Sequence, residues 1–189
     1  MEVLMENLHP ISDKDFKELI KIRFNNISDG FNTFSNGILE CVDDTLSFKA
    51  KEERFLKFFQ QALSLNSNHL IVDFYLKNLS SEEILNLLDS LDHNNKIILL
   101  QELKNLKDDS VYFTLTDTNL LGFITILNTR ALFFCTIYFK HFPFTIWGNY
   151  DLKFPVFFSD INILNQYKDL ANKHGLSINL INIKKEGII

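Results

Sequence analysis

Hydrophobic residues in the first 107 positions recur mainly at intervals of three and four, the spacing that places side chains on one face of a helix. In the clearest case, Phe55, Phe58 and Phe59 form one apolar stripe. Helix-capping residues precede several of these stripes, and Ser80 with Glu83 forms a capping box. The predicted helices of this part are residues 13–24, 48–65, 81–91 and 96–107.

Two segments of the same part have a different pattern. Residues 25–44 are rich in Asn, Ser, Asp and Gly, which indicates a loop with a short strand near residues 38–42. Residues 69–78 fit a strand and a helix equally well. The positions that alternate as in a strand are Leu70, Val72, Phe74 and Leu76, and those at helical spacing are Ile71, Tyr75 and Leu79.

From residue 108 onward, short apolar segments bounded by turn residues predict strands. The predicted strands are residues 111–116, 132–139, 144–147, 154–158 and 177–183. One predicted helix spans residues 118–129. A last helix begins at Asp160 and ends at His174 and Gly175. Pro155 lacks the N–H that a strand ladder needs, so we expect its strand to lie at the sheet edge or to begin there.

These elements predict an α+β fold, in which a helical N-terminal part is followed by a mostly antiparallel sheet with packed helices. No Pro- or Ser-rich linker, internal repeat or low-complexity tract divides the 189 residues. We therefore expect a single domain over residues 1–189, with a helical part over 1–107 and a sheet-containing part over 108–189 that share one core.

The most unusual segment is an aromatic block at residues 131–158, where eleven of 28 residues are Phe, Tyr or Trp. Only Lys140, Asp151 and Lys153 carry formal charges there. Because so much aromatic surface is unfavourable in water, the block is expected in the core, under a partner, or in both places.

The net charge of −5 is unevenly distributed along the chain. Residues 1–129 hold 20 acids and 12 bases (net −8), and residues 130–189 hold 4 acids and 7 bases (net +3). Nucleic-acid binding depends on clustered Lys and Arg, so we expect no nucleic-acid partner. An acidic surface is compatible with a basic partner protein and equally with a simple solvated face.

The pattern of apolar runs also predicts where the protein resides. The first ten residues contain acids and no basic residue, which is unlike a secretory signal. The uninterrupted apolar run after Arg130 ends at Phe139, too short to cross a bilayer as a helix. We expect a cytoplasmic protein without membrane association.

Motifs that carry known chemistry are missing from the sequence. The six glycines form no phosphate-binding loop, the two cysteines lie far apart, and the five histidines form no zinc motif. His69 and Asp73 would share a face only if their segment were a helix. The acidic pairs, such as Asp43–Asp44, diverge in regular structure and cannot chelate alone. We therefore predict no catalytic residue, no metal site and no cofactor.

Two features remain as candidates for binding. Trp147, Asn149, Tyr150 and Asp151 surround a glycine and combine rigid aromatic area with hydrogen-bonding groups, as binding hot spots do, although a turn that completes the core explains them as well. The partner-binding residues that the sequence predicts are Asp43, Asp44, Trp147, Asn149, Tyr150 and Asp151. Arg130 either anchors an anion or, the favoured interpretation, ends a helix or pairs with an acid.

These observations favour binding over catalysis. Small acidic domains without motifs resemble, in composition only, the immunity proteins that neutralise bacterial toxins. The sequence thus predicts a protein-binding or inhibitor domain that covers the active site of a basic partner. The alternatives are a hydrolase with a dispersed site, in which Asp or Glu works with His69 or His141, and a structural subunit of an assembly.

Overall fold

The computed structural model of the chain describes residues 8–105 and 110–184, which form seven α-helices and one eight-stranded antiparallel sheet. This architecture confirms the α+β prediction. The strands are β1 (His9–Ile11), β2 (Ser35–Cys41), β3 (Leu70–Asp73), β4 (Tyr112–Leu115), β5 (Ile137–Phe139), β6 (Phe144–Ile146), β7 (Phe154–Phe158) and β8 (Leu176–Asn182). The helices are α1 (Asp13–Leu19), α2 (Ile27–Thr33), α3 (Phe48–Leu65), α4 (Ser81–Ser90), α5 (His93–Asn105), α6 (Thr118–Thr129) and α7 (Ile161–Lys173).

The sheet combines strands from both parts of the chain in the order β1-β4-β3-β5-β6-β7-β2-β8. Five of the seven helices but also three of the eight strands precede residue 106, so the predicted order of helices before sheet holds only loosely. The predicted division between residues 107 and 108 falls outside the described residues.

One face of the sheet carries the main core, which forms against α3, α6 and α7. Phe55 of α3 packs edge-on against Phe154 of β7 at 5.1 Å between ring centroids. Tyr167 of α7 stacks on Phe144 of β6 at 4.0 Å. The aromatic block is therefore largely core, because such pairs bury large apolar area in preferred ring geometries. Its fully buried members are Tyr138, Phe139, Phe144, Phe154, Phe157 and Phe158.

The opposite face is covered by the short helix α1. Phe16 of α1 stacks on Tyr112 at 3.6 Å and meets Tyr138 edge-on at 5.0 Å. The predicted helix over residues 13–24 is wrong at its C-terminal end, because Ile20 adopts an extended conformation (φ −103°, ψ 117°). The chain then crosses the sheet, and the hydroxyl of Thr145 donates to the backbone oxygen of Ile22 at 2.6 Å. The short helix leaves room for a cavity at each end of this face.

Several element boundaries differ from the predicted ones for local reasons. Residues 69–78 contain both alternatives in sequence, since β3 is followed by a 3₁₀ turn at Leu76–Asn78. The predicted loop over residues 25–44 contains α2, whose N-terminus is capped by the side chain of Asn26. The predicted strand over residues 132–139 is reduced to β5.

Pro155 is the second residue of an interior strand, so the predicted edge position is wrong, whereas the strand begins within one residue of the predicted start. β7 pairs with β6 on one side and with β2 on the other. The Pro155 oxygen accepts a hydrogen bond from the Trp147 N–H at 2.9 Å, just beyond the last residue of β6. The N–H and C=O of a residue in an antiparallel strand point the same way. The position without an N–H therefore faces the end of β6 and removes no bond to β2.

Arg130 ends α6 and also pairs with an acid, as its structural interpretation predicts. Its Nε and Nη2 atoms donate to the two carboxylate oxygens of Glu52 on α3, both at 2.8 Å. The hydroxyl of Thr129 donates to the same carboxylate at 3.0 Å. This bidentate pair connects α3 to α6 behind the sheet.

We expect Arg130→Met to lower the free energy of unfolding by about 2 kcal/mol, because Glu52 keeps a mostly buried charge without its cation. Urea unfolding at neutral pH measures the loss. The matched control is Lys51→Met, which leaves behind the Asp44 carboxylate, whose side chain is 96% exposed, and should cost less than about 0.5 kcal/mol. Equal losses in the two variants would contradict a structural role of the Glu52–Arg130 pair.

Candidate functional site

The feature best suited to recognition is a cavity of about 290 Å³ on the face that α1 covers. It lies at one end of the interior strands β3, β4, β5 and β6. We call it the Asp73 pocket. Its aromatic walls are Phe24, Tyr75, Tyr112, Phe134, Tyr138 and Trp147, and its polar lining residues are Asn25, Asp73 and Thr136. Aromatic walls around a few convergent polar groups are typical of ligand sites.

The sheet register brings these residues together from distant parts of the chain. Asp73 ends β3 directly opposite Tyr112, the first residue of β4. Tyr138 of β5 pairs with Thr145 of β6, two residues before Trp147. Opposite residues in an antiparallel sheet share a face, as do residues two apart in a strand. The pocket is therefore built where β3 and β6 end and β4 and β5 begin.

Asp73 is the only acid among the described residues that line the pocket, and its side chain is almost fully buried, with 6% of the residue exposed. Its Oδ1 atom accepts a hydrogen bond from the Thr136 N–H. The Tyr138 hydroxyl approaches Oδ2 at 3.5 Å, which is long for a hydrogen bond. Since a carboxylate offers about four acceptor positions, Asp73 retains acceptor capacity on the Oδ2 side.

The charge state of Asp73 is unusual for an aspartate. Burial raises the pKa of its carboxyl from 3.8 to about 6, against the opposing effect of hydrogen bonds from Thr136 and Tyr138. None of the described lysine or arginine residues lines the pocket. When the carboxyl group is ionised, none of the described lining residues supplies a cation to neutralise it. A buried charge kept at such a cost indicates a role toward a ligand.

The tyrosines of the pocket remain protonated at neutral pH. Burial, with a contribution from neighbouring Tyr75 and from the charge of Asp73, raises the pKa of Tyr112 to about 12. Burial and the Asp73 charge also raise the pKa of Tyr75 and of Tyr138. Among the described lining residues Asp73 is thus the group whose ionisation gives the pocket a charge, and that charge favours a cation.

Trp147 forms one wall and is held from two sides. Its ring stacks on Phe24 at 5.5 Å between centroids. The next residue, Gly148, lies so close to Asn128, Cys135 and Phe134 that an added Cβ would collide with the Asn128 side chain. Only glycine permits this approach, which sets the direction in which the chain leaves β6.

The rest of the predicted 147–151 segment borders the pocket. Tyr150 is 63% exposed and packs edge-on against the pocket residue Phe134 at 4.7 Å. The side chain of Asn149 donates to the Lys153 oxygen at 2.9 Å and closes the loop. Asp151 is exposed and has a left-handed backbone (φ 59°). The segment is therefore a turn whose first residue lines the cavity and whose tip is exposed.

Asp43 and Asp44 follow β2 at the same end of the strands as the pocket. They lie apart from it, because β7 separates β2 from β6. Asp43 accepts hydrogen bonds from the Thr45 N–H at 2.9 Å and from the Thr45 hydroxyl at 2.6 Å, which lower its pKa. Asp44 pairs with Lys51 at 3.5 Å. A turn explains their sequence, and their contact with a partner stays a prediction.

Sequence reasoning missed Asp73, Tyr112 and Tyr138 as site residues. It considered Asp73 only as a helical neighbour of His69, whereas β3 places the two at opposite ends of a strand. The available signal was an acid within the apolar run from Leu70 to Leu76, a position at which an unpaired charge is rare.

No protein-family model, no curated protein sequence and no solved structure matches this chain. Within residues 8–105 and 110–184, no group of three or more His, Cys, Asp or Glu side chains is placed to hold a metal ion. In the same ranges, no helix has both the length and the apolarity needed to cross a bilayer. The chemistry of the Asp73 pocket is therefore the basis for the functional proposal.

Proposed function

We propose that this protein binds a basic partner protein by taking one Lys or Arg side chain of the partner into the Asp73 pocket. The observation that carries the proposal is the buried Asp73 carboxyl group, which has aromatic rings around it and no cation among the described residues that line the pocket. An ammonium or guanidinium group would neutralise the carboxylate and lie against the ring faces.

The size of the pocket supports a side chain as the occupant. Its volume of about 290 Å³ is at the lower end of the range for small-molecule sites. The apolar stem of a lysine or arginine would pack on Trp147 and Phe24, while its charged end would reach Asp73. Aromatic residues that surround a desolvated charge pair form the usual centre of an interface.

Charges outside the pocket support the same polarity of partner. The carboxylate of Asp13 contributes to the raised pKa of Tyr75 and Tyr112, so negative potential continues toward the pocket from α1. Asp43, Asp44 and Asp151 lie in turns at the same end of the strands as the pocket, and they would steer a basic protein toward it. We propose that the interaction is inhibitory, of the immunity type, and that it takes place in the cytoplasm.

A hydrolase remains the second candidate because of one observation. A carboxyl group with a pKa of about 6 is suited to general acid–base catalysis near neutral pH. However, no histidine lines the Asp73 pocket, and His69 and His141 line a cavity at the opposite end of the strands. Binding of a cation needs only the Asp73 carboxyl group and the aromatic rings of the pocket, whereas a hydrolase with an Asp and a His would need a histidine there as well.

The proposal is tested with the single tryptophan, since Trp147 is the only one in the chain and lines the pocket. Titration with the peptide Gly-Arg-Gly should change the tryptophan fluorescence along a saturating curve with a Kd of about 1 mM. The neutral isostere Gly-citrulline-Gly should produce no saturable change. A response to both peptides, or to neither, would overturn the cation pocket.

The contribution of the wall is tested by Trp147→Ala, with calorimetry as the measurement because the variant lacks the fluorophore. We expect Gly-Arg-Gly to bind about tenfold more weakly, since a cation–π contact and packing area are lost. The control is Phe48→Ala, which removes an aromatic ring that is 49% exposed and lies outside the pocket. This control should leave the affinity unchanged.

A further inference from the structure

A second cavity, of about 260 Å³, lies at the opposite end of the face that α1 covers. Its floor is aliphatic and is formed by Leu19, Leu70 and Ile71. Its polar lining residues are His69, Thr114, Lys140 and His141, and we call it the His–Lys cavity. None of the described acidic residues lines it, so its charge is opposite to that of the Asp73 pocket.

Both histidines of the cavity have defined ring orientations. The Nδ1 atom of His69 lies 2.8 Å from the Ser67 oxygen, and that of His141 lies 3.0 Å from the Asn66 oxygen. A backbone carbonyl only accepts hydrogen bonds, so each Nδ1 must carry a proton and donate. The Nε2 atom of each ring is then the position left for a ligand.

A buried asparagine fixes the turn that presents these rings. Asn66 is fully buried, and its Nδ2 atom donates to the Ala62 oxygen at 2.9 Å and to the Tyr167 hydroxyl at 2.8 Å. Its Oδ1 atom accepts from the Phe142 N–H at 3.0 Å. Its backbone oxygen holds His141, so one residue ties the end of α3 to the turn between β5 and β6.

The adjacent turn is conformationally unusual. Ser67 and Asn68 both have left-handed backbones, with φ of 58° each, and they immediately precede His69. Two successive non-glycine residues in this region are uncommon and carry a conformational cost. The turn directs His69 toward the same cavity as His141, which rests on the same peptide segment.

From these contacts we propose that the His–Lys cavity binds the phosphate group of a small organic phosphate. Lys140 is exposed and has no ion-pair partner among the described residues, so its ammonium is available to an anion. A phosphate would accept from the Lys140 ammonium and from the Nε2–H of each histidine ring in its doubly protonated form, whereas the Thr114 hydroxyl already donates to the His9 oxygen at 3.3 Å. The aliphatic floor accommodates an apolar part of the molecule.

Donation from both histidines to an anion requires a proton on each Nε2 atom. The charged or titratable residues lining the cavity are Lys140 from the end of β5, His141 from the following turn and His69 from the turn before β3, while α1 and β4 supply only Leu19 and Thr114. Since Nδ1 already donates to a carbonyl, a neutral ring has no proton on Nε2 for the anion.

The experiment is a titration of the full chain with inorganic phosphate at pH 6 and constant ionic strength, followed through the imidazole C–H signals in proton NMR. The chain has five histidines, and His69→Gln and His141→Gln assign the two signals of interest by the loss of each. We expect the His69 and His141 signals to move together along one saturating curve. The signal of His93, the first residue of α5, should remain in place.

Lys140→Gln should weaken phosphate binding about tenfold, because one charged donor is lost. The matched control is Lys153→Gln, which removes the same charge at the other end of the strands and should leave the affinity unchanged. The absence of a saturable shift in the wild-type protein would overturn the proposal, as would equal losses in the two lysine variants. Binding of Zn²⁺ without any response to phosphate would also overturn it.

Discussion

Asp73→Asn is expected to abolish capture of the basic side chain and, at the same time, to stabilise the fold at neutral pH. Asparagine keeps the oxygen that accepts from the Thr136 N–H, so the end of β3 stays in place. The variant lacks the buried negative charge that attracts the ligand. We expect Gly-Arg-Gly, or an identified partner, to bind about 100-fold more weakly, in line with the loss of one member of a buried charge pair.

The direction of the stability effect follows from the raised pKa of Asp73. Burial moves the pKa from 3.8 to about 6, so the folded state holds its proton more tightly than the unfolded state does. The favourable contribution is fully present below about pH 4 and is lost as the pH rises through about 6. The difference of about two pH units corresponds to about 3 kcal/mol at neutral pH.

Urea unfolding of both proteins between pH 4 and pH 8 measures this effect. The stability difference between Asp73→Asn and wild type should be smallest near pH 4, grow in favour of the variant through pH 6, and then stay constant. Asp43→Asn is the charge-matched control, and it should change peptide affinity less than about twofold. A variant that is less stable than wild type at pH 7 would contradict the assignment of Asp73 as a functional residue kept at a cost.

Asn66→Ala is expected to cause the largest loss of stability, about 4 kcal/mol. The substitution leaves the buried Phe142 N–H without its acceptor and removes the donor to the Tyr167 hydroxyl and to the Ala62 oxygen. A buried polar group that loses its partner costs about 1–3 kcal/mol, and here several are affected together. Thermal and urea unfolding provide the measurement.

A double-mutant cycle separates the role of this network from simple loss of volume. Tyr167→Phe removes one hydroxyl, which accepts from Asn66 and donates to the Phe142 oxygen at 3.1 Å, and should cost about 1 kcal/mol. Because both residues serve one network, the double variant should lose less than the sum of the single losses. Strict additivity would show that Asn66 and Tyr167 act independently.

Local patterns predicted the long elements closely. The helices over residues 48–65 and 118–129 have those bounds in the structure, since a continuous apolar stripe and a capping Ser47 or Asp117 define each of them. The last helix begins after Asp160 and ends at His174, followed by Gly175 with φ 69°. Short elements were predicted less well, because tertiary contacts decide them. Ile20, for example, ends α1 where the chain turns across the sheet.

For the candidate site, the sequence predicted Trp147 but missed Asp73, Tyr112 and Tyr138. Trp147 was recognisable because a glycine and hydrogen-bonding residues follow it in the sequence. Asp73 and Tyr112 are 39 positions apart, and their contact exists only because β3 and β4 pair in one register. No periodicity within either segment carries that information.

Glu52 and Arg130 illustrate the same limit in the core. Arg130 was expected to pair with an acid, but the acid lies 78 positions away on another helix. The sequence alone determined the α+β class, the long helices and the aromatic content of the core, because these depend on side-chain type and spacing within one segment. Only the tertiary structure decided that a carboxylate, three tyrosines and a tryptophan meet at one end of the interior strands. Strand order and register bring these distant residues onto a common face of the sheet.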